Sequence, residues 1–196
     1  EHVNLCLVCR ACETACPSGV QFGHLMEITR SALAETKPPS FFQKYLLKKV
    51  LPSHGWLSTL FTLMRVFQKT GLQKLFSTQP FNLLVPQRIR TLQTSIPLVP
   101  PQRFGTSEDL LYSAVGKKIG TVSLFTGCVM DHLYPHVHAA TVRLLTWYNF
   151  DVNIPAQQTC CGALHAHSGD TQMTSDLAQS NIDLFENTDS DYIIIN

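Results

Sequence analysis

The sequence predicts an α+β protein in three parts: a helical, cysteine-bearing module over residues 1–76, a Pro-rich linker over 77–118, and a parallel α/β unit of β-α-β-α-β order over 119–196. Three observations predict it. Four cysteines crowd between Cys6 and Cys16, ahead of apolar residues at helical spacing. Five prolines fall between Pro80 and Pro101. After Ile119, short apolar runs alternate with helical stretches, the pattern of a parallel sheet with crossover helices.

In the first part, Phe22, Leu25, Met26, Thr29 and Leu33 mark one helix, ended by Lys37-Pro38-Pro39. Ser40 can cap a second helix running to about Val50, stopped near Pro52. Trp56, Leu60, Leu63, Met64 and Phe67 mark a third, with Gly71 as its C-terminal cap. The linker holds Leu, Ile and Phe among its prolines and is expected to pack down on the surface. In the third part the expected strands are Ile119–Thr126, Asp151–Ile154 and Tyr192–Ile195. The expected helices are Leu133–Asn149, with Val137, Ala140, Val142, Leu144 and Leu145 near its buried face, and Met173–Phe185.

The net charge is only +1, but it is segregated. From Thr36 to Ser107 there is no Asp or Glu against ten Lys or Arg; from Glu108 to Asn196 there are ten acids and three bases. The two parts therefore suit different neighbours. Seven cysteines, an odd and clustered set, argue against a disulfide framework and for metal ligands in a reducing compartment. The longest apolar stretch, Gly55–Phe67, is too short to span a bilayer and contains Arg65. A soluble, cytoplasmic protein is expected, with no nucleic-acid partner, since no recognised binding motif accompanies the basic charge.

The segment Cys6-x2-Cys9-x2-Cys12-x3-Cys16-Pro17 has the spacing of bacterial cubane ferredoxins. Two-residue gaps let three thiolates curl around one corner of a [4Fe-4S] cube. The fourth cysteine, followed by proline, leaves that curl and serves the other cluster of a pair. Zinc sites use separated pairs or Cys/His mixtures and fit poorly. Each cluster then lacks ligands, which a sister motif upstream of Glu1 would supply. The chain is expected to be part of a longer two-cluster protein.

Gly127-Cys128 follows the first strand and Cys160-Cys161-Gly162 the second, with 31 residues between Cys128 and Cys160. In a parallel sheet, loops after consecutive strands converge at the carboxyl edge, so these thiols should meet within a few ångström. Together with Cys9-Arg10-Ala11-Cys12-Glu13-Thr14-Ala15-Cys16-Pro17-Ser18-Gly19-Val20, the segments Gly127-Cys128-Val129-Met130 and Cys160-Cys161-Gly162-Ala163-Leu164-His165-Ala166-His167 resemble the cysteine-rich CCG family, and most closely its glycolate oxidase iron–sulfur subunits. The resemblance covers nearly the whole chain and is weakest in the linker. It implies a helical ferredoxin module with two [4Fe-4S] clusters, a first CCG half at 119–196, and flavin-binding oxidoreductase subunits as partners.

The implied role is electron relay from a flavoprotein that oxidises glycolate to glyoxylate, towards a quinone-level acceptor, with no substrate oxidation by this chain alone. The alternatives are a heterodisulfide-reductase-like thiol catalyst and the iron–sulfur subunit of lactate or glycerol-3-phosphate oxidation. The expected metal ligands are Cys6, Cys9, Cys12, Cys16, Cys128, Cys160 and Cys161. For the last three, a further cluster, a redox-active thiol pair and plain packing all remain open. No residue is singled out as catalytic. No G-x-G-x-x-G follows a strand, so no flavin or nucleotide cradle is expected.

His165 and His167 could ligate metal, relay protons or be structural. His132 and His136, four apart on one helix face, and His138 are expected at the surface. Lys44, Lys48, Lys49, Arg65, Lys69 and Lys74 form a basic, aromatic stretch suited to a partner subunit or to the inner face of the cell membrane.

Overall fold

The structure, a computed structural model, describes residues 2–36, 40–71 and 96–196. Lys37-Pro38-Pro39, Lys74, Pro80 and Pro86 lie outside the described residues. Of two short helices, α1 (His2–Leu5) precedes the cysteine motif and α2 (Ala11–Thr14) carries Cys12 within it. Helix α3 (Phe22–Thr36) follows. Its buried positions are Gly23 and Met26, while Leu25 and Leu33 are exposed. The inward stripe thus runs through Met26, Glu27 and Arg30 rather than the apolar positions that mark the helix.

Ser40 caps α4 (Phe41–Tyr45), its Oγ accepting from Gln43 N–H at 3.3 Å. The helix passes into a wide turn at Leu46–Val50 with i→i+5 hydrogen bonding. Ser53 caps α5 (His54–Lys69), and Gly71, at φ 74°, ends it. Leu57 and Phe61 are the buried side of α5, while Trp56 and Leu63 face outward.

The C-terminal part is a four-stranded sheet of β1 (Leu110–Tyr112), β2 (Gly120–Phe125), β3 (Phe150–Ile154) and β4 (Tyr192–Ile195), in the order β1-β3-β2-β4. β2 pairs in parallel with both β3 and β4, as the alternating pattern predicts. β1 pairs antiparallel with β3 and makes the sheet mixed, so the all-parallel expectation is corrected. A three-residue strand carries too little periodicity to separate it from a loop.

Helices α6 (Val129–Leu133) and α7 (Pro135–Trp147) lead from β2 to β3; α8 (Ala163–His167) and α9 (Thr171–Glu186) lead from β3 to β4. The crossover from β2 to β3 runs one way along the sheet and that from β3 to β4 the other, and right-handed crossovers then put their helices on opposite faces. The alternation of β2 agrees. Val122 and Leu124 pack with Val142 and Leu145 of α7. Phe125, on the other face, meets the Phe185 ring of α9 at 5.9 Å. Ala140 and Leu144 are exposed, because α7 turns only its Val142 side to the sheet.

Helix α7 matches the expected helix to within two residues at each end, but Pro135 starts it and sets it apart from α6, and this corrects the reading of the histidines. His136 is exposed, but His132 and His138 are 3% and 0% exposed. His132 stacks on Phe61 with centroids 4.7 Å apart and shares a hydrogen bond with Ser58 Oγ at 3.2 Å. His138 Nδ1 accepts from Asn196 Nδ2 at 2.9 Å.

Burial, its largest cause, pushes both imidazoles below the ordinary histidine range. The unfolded chain therefore takes up these protons first as pH falls through about 6.5. The stability that neutral His132 and His138 contribute is present above that pH and lost below it. The urea unfolding midpoint should fall between about pH 7 and 5, and the slope should lessen in His138→Gln. Asp151 and Asp170, both held below the usual carboxylate range, give up their contributions only at lower pH.

Candidate functional site

The cysteine motif is held open by unusual backbone. Val8 and Arg10, on either side of Cys9, adopt left-handed φ values of 53° and 59°. This is a strained choice, above all for a β-branched residue. It lets the chain fold back over its own sulfurs. Val8 N–H donates to Cys6 Sγ at 3.4 Å. Cys16 receives backbone N–H groups from Val20, Ser18 and Gly19, and these hold its thiol below the ordinary cysteine range. Cys9 and Cys12 are exposed; Cys6 and Cys16 are half-buried. The motif seats on α3, where Gly23 N–H donates to Glu13 Oε1.

The second set of thiols lies at the carboxyl edge of the parallel strands, where this topology gathers ligands. Cys128, at the start of α6, and Cys160 are 8% and 1% exposed, with their sulfurs 3.4 Å apart in a hydrogen bond. That shared proton depresses Cys128 and raises Cys160. Cys161 is pushed well up by its hydrogen bond to Cys160. It is exposed beside an apolar groove of about 650 Å³ walled by Phe125, Ile182, Phe185 and Ile193. The 31-residue gap is thus closed by topology. Among the described residues no three or more Cys, His, Asp or Glu side chains stand in a metal-holding group.

Around the pair lie polar residues that spacing did not reveal. Gln158, 2% exposed, and Asn181, 9% exposed, bracket Cys160. Asn181 Nδ2 donates to Cys160 O at 3.1 Å, and its Oδ1 accepts from Thr159 N–H at 2.9 Å. His132 Nδ1 bonds Cys128 O at 3.1 Å. Asp131, 1% exposed, accepts from the N–H groups of Phe104 and Gly105 at 3.1 and 2.6 Å.

The helical part is the cover. Val50, Leu57 and Phe61 form one apolar cluster with Cys128, Cys160 and Leu177. The turn after Cys161 is clasped from the same side. His165 Nε2 donates to Leu47 O at 2.8 Å, and Lys48 pairs with Asp170 at 3.1 Å. Arg30 donates to His167 O at 2.6 Å and also to the carbonyls of Val3 and Cys6. Gly169 permits this approach, since an added Cβ would lie 2.6 Å from Arg30 O. His165 and His167 thus serve the clasp with one ring nitrogen and one carbonyl. No sequence signal distinguishes Arg30, Asn181 or Gln158 from ordinary polar residues.

The donor chemistry fits a thiolate-held iron–sulfur group. The motif presents four cysteine sulfurs, and the backbone N–H groups aimed at Cys16 favour its anionic form. A helical cysteine module folded over an α/β thiol pair defines a cysteine-rich, CCG-type protein. Family models agree: the CCG Cysteine-rich domain matches residues 122–196, and "Glycolate oxidase iron-sulfur subunit, linker region" matches 38–95.

The chain thus carries a CCG cysteine-rich domain and the linker region of glycolate oxidase iron–sulfur subunits, and its similarity to such subunits runs along its whole length. It is 33% identical to the probable glycolate oxidase iron–sulfur subunit of Bacillus subtilis, over 100% of this chain and 45% of the relative. It is 27% identical to the glycolate oxidase iron–sulfur subunit of Escherichia coli, over 93% of this chain and 40% of the relative. Lactate utilization protein A of Halalkalibacterium halodurans is 44% identical over 33% of this chain and 26% of that protein. The chain spans less than half the length of these curated relatives. No solved structure matches it.

Proposed function

We propose that the chain is the central part of an iron–sulfur electron-transfer subunit of a glycolate oxidase. In this reading the subunit carries electrons from a flavin-binding partner, which oxidises glycolate to glyoxylate, towards a quinone-level acceptor. The observation that carries it is Arg30, whose guanidinium joins the Cys6 carbonyl to the turn just beyond Cys160-Cys161. The two thiol centres are thereby packed into one unit, as a relay needs.

Residues 1–76 act as the C-terminal part of a ferredoxin module, 77–118 as linker and 119–196 as a first CCG half. Cys6, Cys9, Cys12 and Cys16 would hold [4Fe-4S] clusters, and Cys128, Cys160 and Cys161 a further one. When bound, such a cluster supplies one-electron chemistry at a potential tuned by hydrogen bonds to sulfur and by burial. The chain's own part is to present thiolates, donate N–H groups to them and exclude water with α5. Lys44, Lys49 and Lys69, with exposed Phe41 and Phe42, support docking to the flavoprotein or to the inner membrane face. Among the described residues no helix is long and apolar enough to cross a membrane.

The test uses the full-length complex, purified with and without this subunit. Glycolate, lactate and glycerol-3-phosphate are each offered with a quinone analogue. Quinone reduction with glycolate is expected only when the subunit is present, and the full-length ferredoxin module should carry about eight iron atoms. Substrate oxidation by the isolated subunit would end the relay reading. The 3.4 Å Cys128–Cys160 contact supports a second reading, thiol–disulfide catalysis of the heterodisulfide-reductase kind. Spectra that respond to added thiol substrates would favour it.

A further inference from the structure

The register of β2 and β3 exposes a gap that one side chain fills. The two strands pair from Gly120↔Phe150 to Ser123↔Asn153. Continued, that register sets Phe125 opposite Pro155. In a parallel ladder, the residue opposite Phe125 would bond the carbonyl of Leu124 and the N–H of Thr126. Pro155 has no N–H to give, and the ladder stops there. The chain then departs on the irregular stretch to Cys160, while β2 departs towards Cys128.

The carboxamide of Gln158 stands where that missing peptide would be. Its Nε2 donates to Leu124 O at 2.9 Å, and its Oε1 accepts from Thr126 N–H at 2.8 Å. Both the donor and the acceptor of one lost rung are thereby replaced. Oε1 also takes the Thr126 hydroxyl at 3.4 Å. The backbone carbonyl of Gln158 bonds His54 Nε2 of α5, fixing its main chain as well. Gln158 lies two residues before Cys160, and Thr126 two residues before Cys128. The side chain is therefore a buckle across the roots of both thiol loops, and it is 2% exposed.

We propose that Gln158 is the positioning residue of the Cys128–Cys160 pair: by replacing the rung that Pro155 cannot make, its carboxamide sets the two sulfurs at contact distance. The inference deepens the metal-or-thiol reading of that pair. Its test does not depend on which of the two is right, because it is made on iron-free protein.

The full chain, iron-free and reduced, is treated with diamide. The azo compound takes two electrons and two protons from two thiols, so two S–H bonds break, one S–S bond forms and the diazene becomes a hydrazine. The Cys128–Cys160 disulfide is timed by peptide mass analysis, and alkylation of exposed Cys161 serves as the internal control. Preorganised partners react far faster than freely moving ones. Gln158→Leu should therefore close about tenfold more slowly, with Cys161 alkylation changed by less than about twofold. Gln158→Glu keeps the acceptor towards Thr126 but replaces the donor towards Leu124. It should be slowed about threefold, and it decides the matter alone if the leucine variant does not fold. Closure within twofold of the parent rate, in folded variants, overturns the proposal.

Discussion

Serine at Cys9 or Cys12 should stop quinone reduction by the complete oxidase while leaving its flavin reducible by substrate. Both cysteines are exposed, and neither sulfur is used in the packing of the chain, so the change removes a ligand without opening a core. An alcohol does not ionise at neutral pH and is a poor substitute for a thiolate ligand. The loss should exceed the roughly 10–100-fold that follows when a group merely orienting a ligand is removed. The paired measurement is flavin bleaching by substrate without acceptor, then turnover with a quinone analogue. Serine variants that reduce quinone at the parent rate would remove the motif from the electron route.

Leu57→Ala should cost about 3 kcal/mol of stability, in the range usual for buried leucines. Leu57 is 1% exposed and belongs to the cluster that also contains Cys128, Cys160 and Leu177. Its truncation leaves a void between α5 and the thiol loops, and close-packed surroundings relax only in part. The urea midpoint of the iron-free chain should drop accordingly. The second consequence is chemical: Cys128 and Cys160 should become open to alkylation, while Cys161, already exposed, should react as before. A destabilised variant whose buried thiols stay closed would show that α5 is not their cover.

These expectations draw on two levels of information. Cysteine spacing is local, and the crowding of four cysteines between Cys6 and Cys16 is readable in eleven residues without any knowledge of the fold. The strands β2, β3 and β4 were legible because short apolar or alternating runs, Gly120–Phe125, Phe150–Ile154 and Tyr192–Ile195, stand between helical stretches. Parallel order then brings Cys128 to Cys160, since loops after neighbouring parallel strands leave the same edge. β1 was not legible, because three residues of Leu-Leu-Tyr carry no period.

The histidines show the boundary clearly. Four-residue spacing puts His132 and His136 on one face of an unbroken helix. Pro135 instead starts a new helix, turning His132 under Phe61 and leaving His136 in water. By itself, then, the sequence determined the α/β order and the meeting of two thiol loops, because each rests on short-range spacing or on a topological rule. Only the tertiary structure decided that α5 roofs the thiol pair, that Arg30 ties Cys6 to the turn after Cys161, and that Gln158 replaces the rung missing at Pro155. Those contacts join residues far apart in the chain through generic polar and apolar side chains, whose partners are chosen by the packing of whole elements and leave no local pattern.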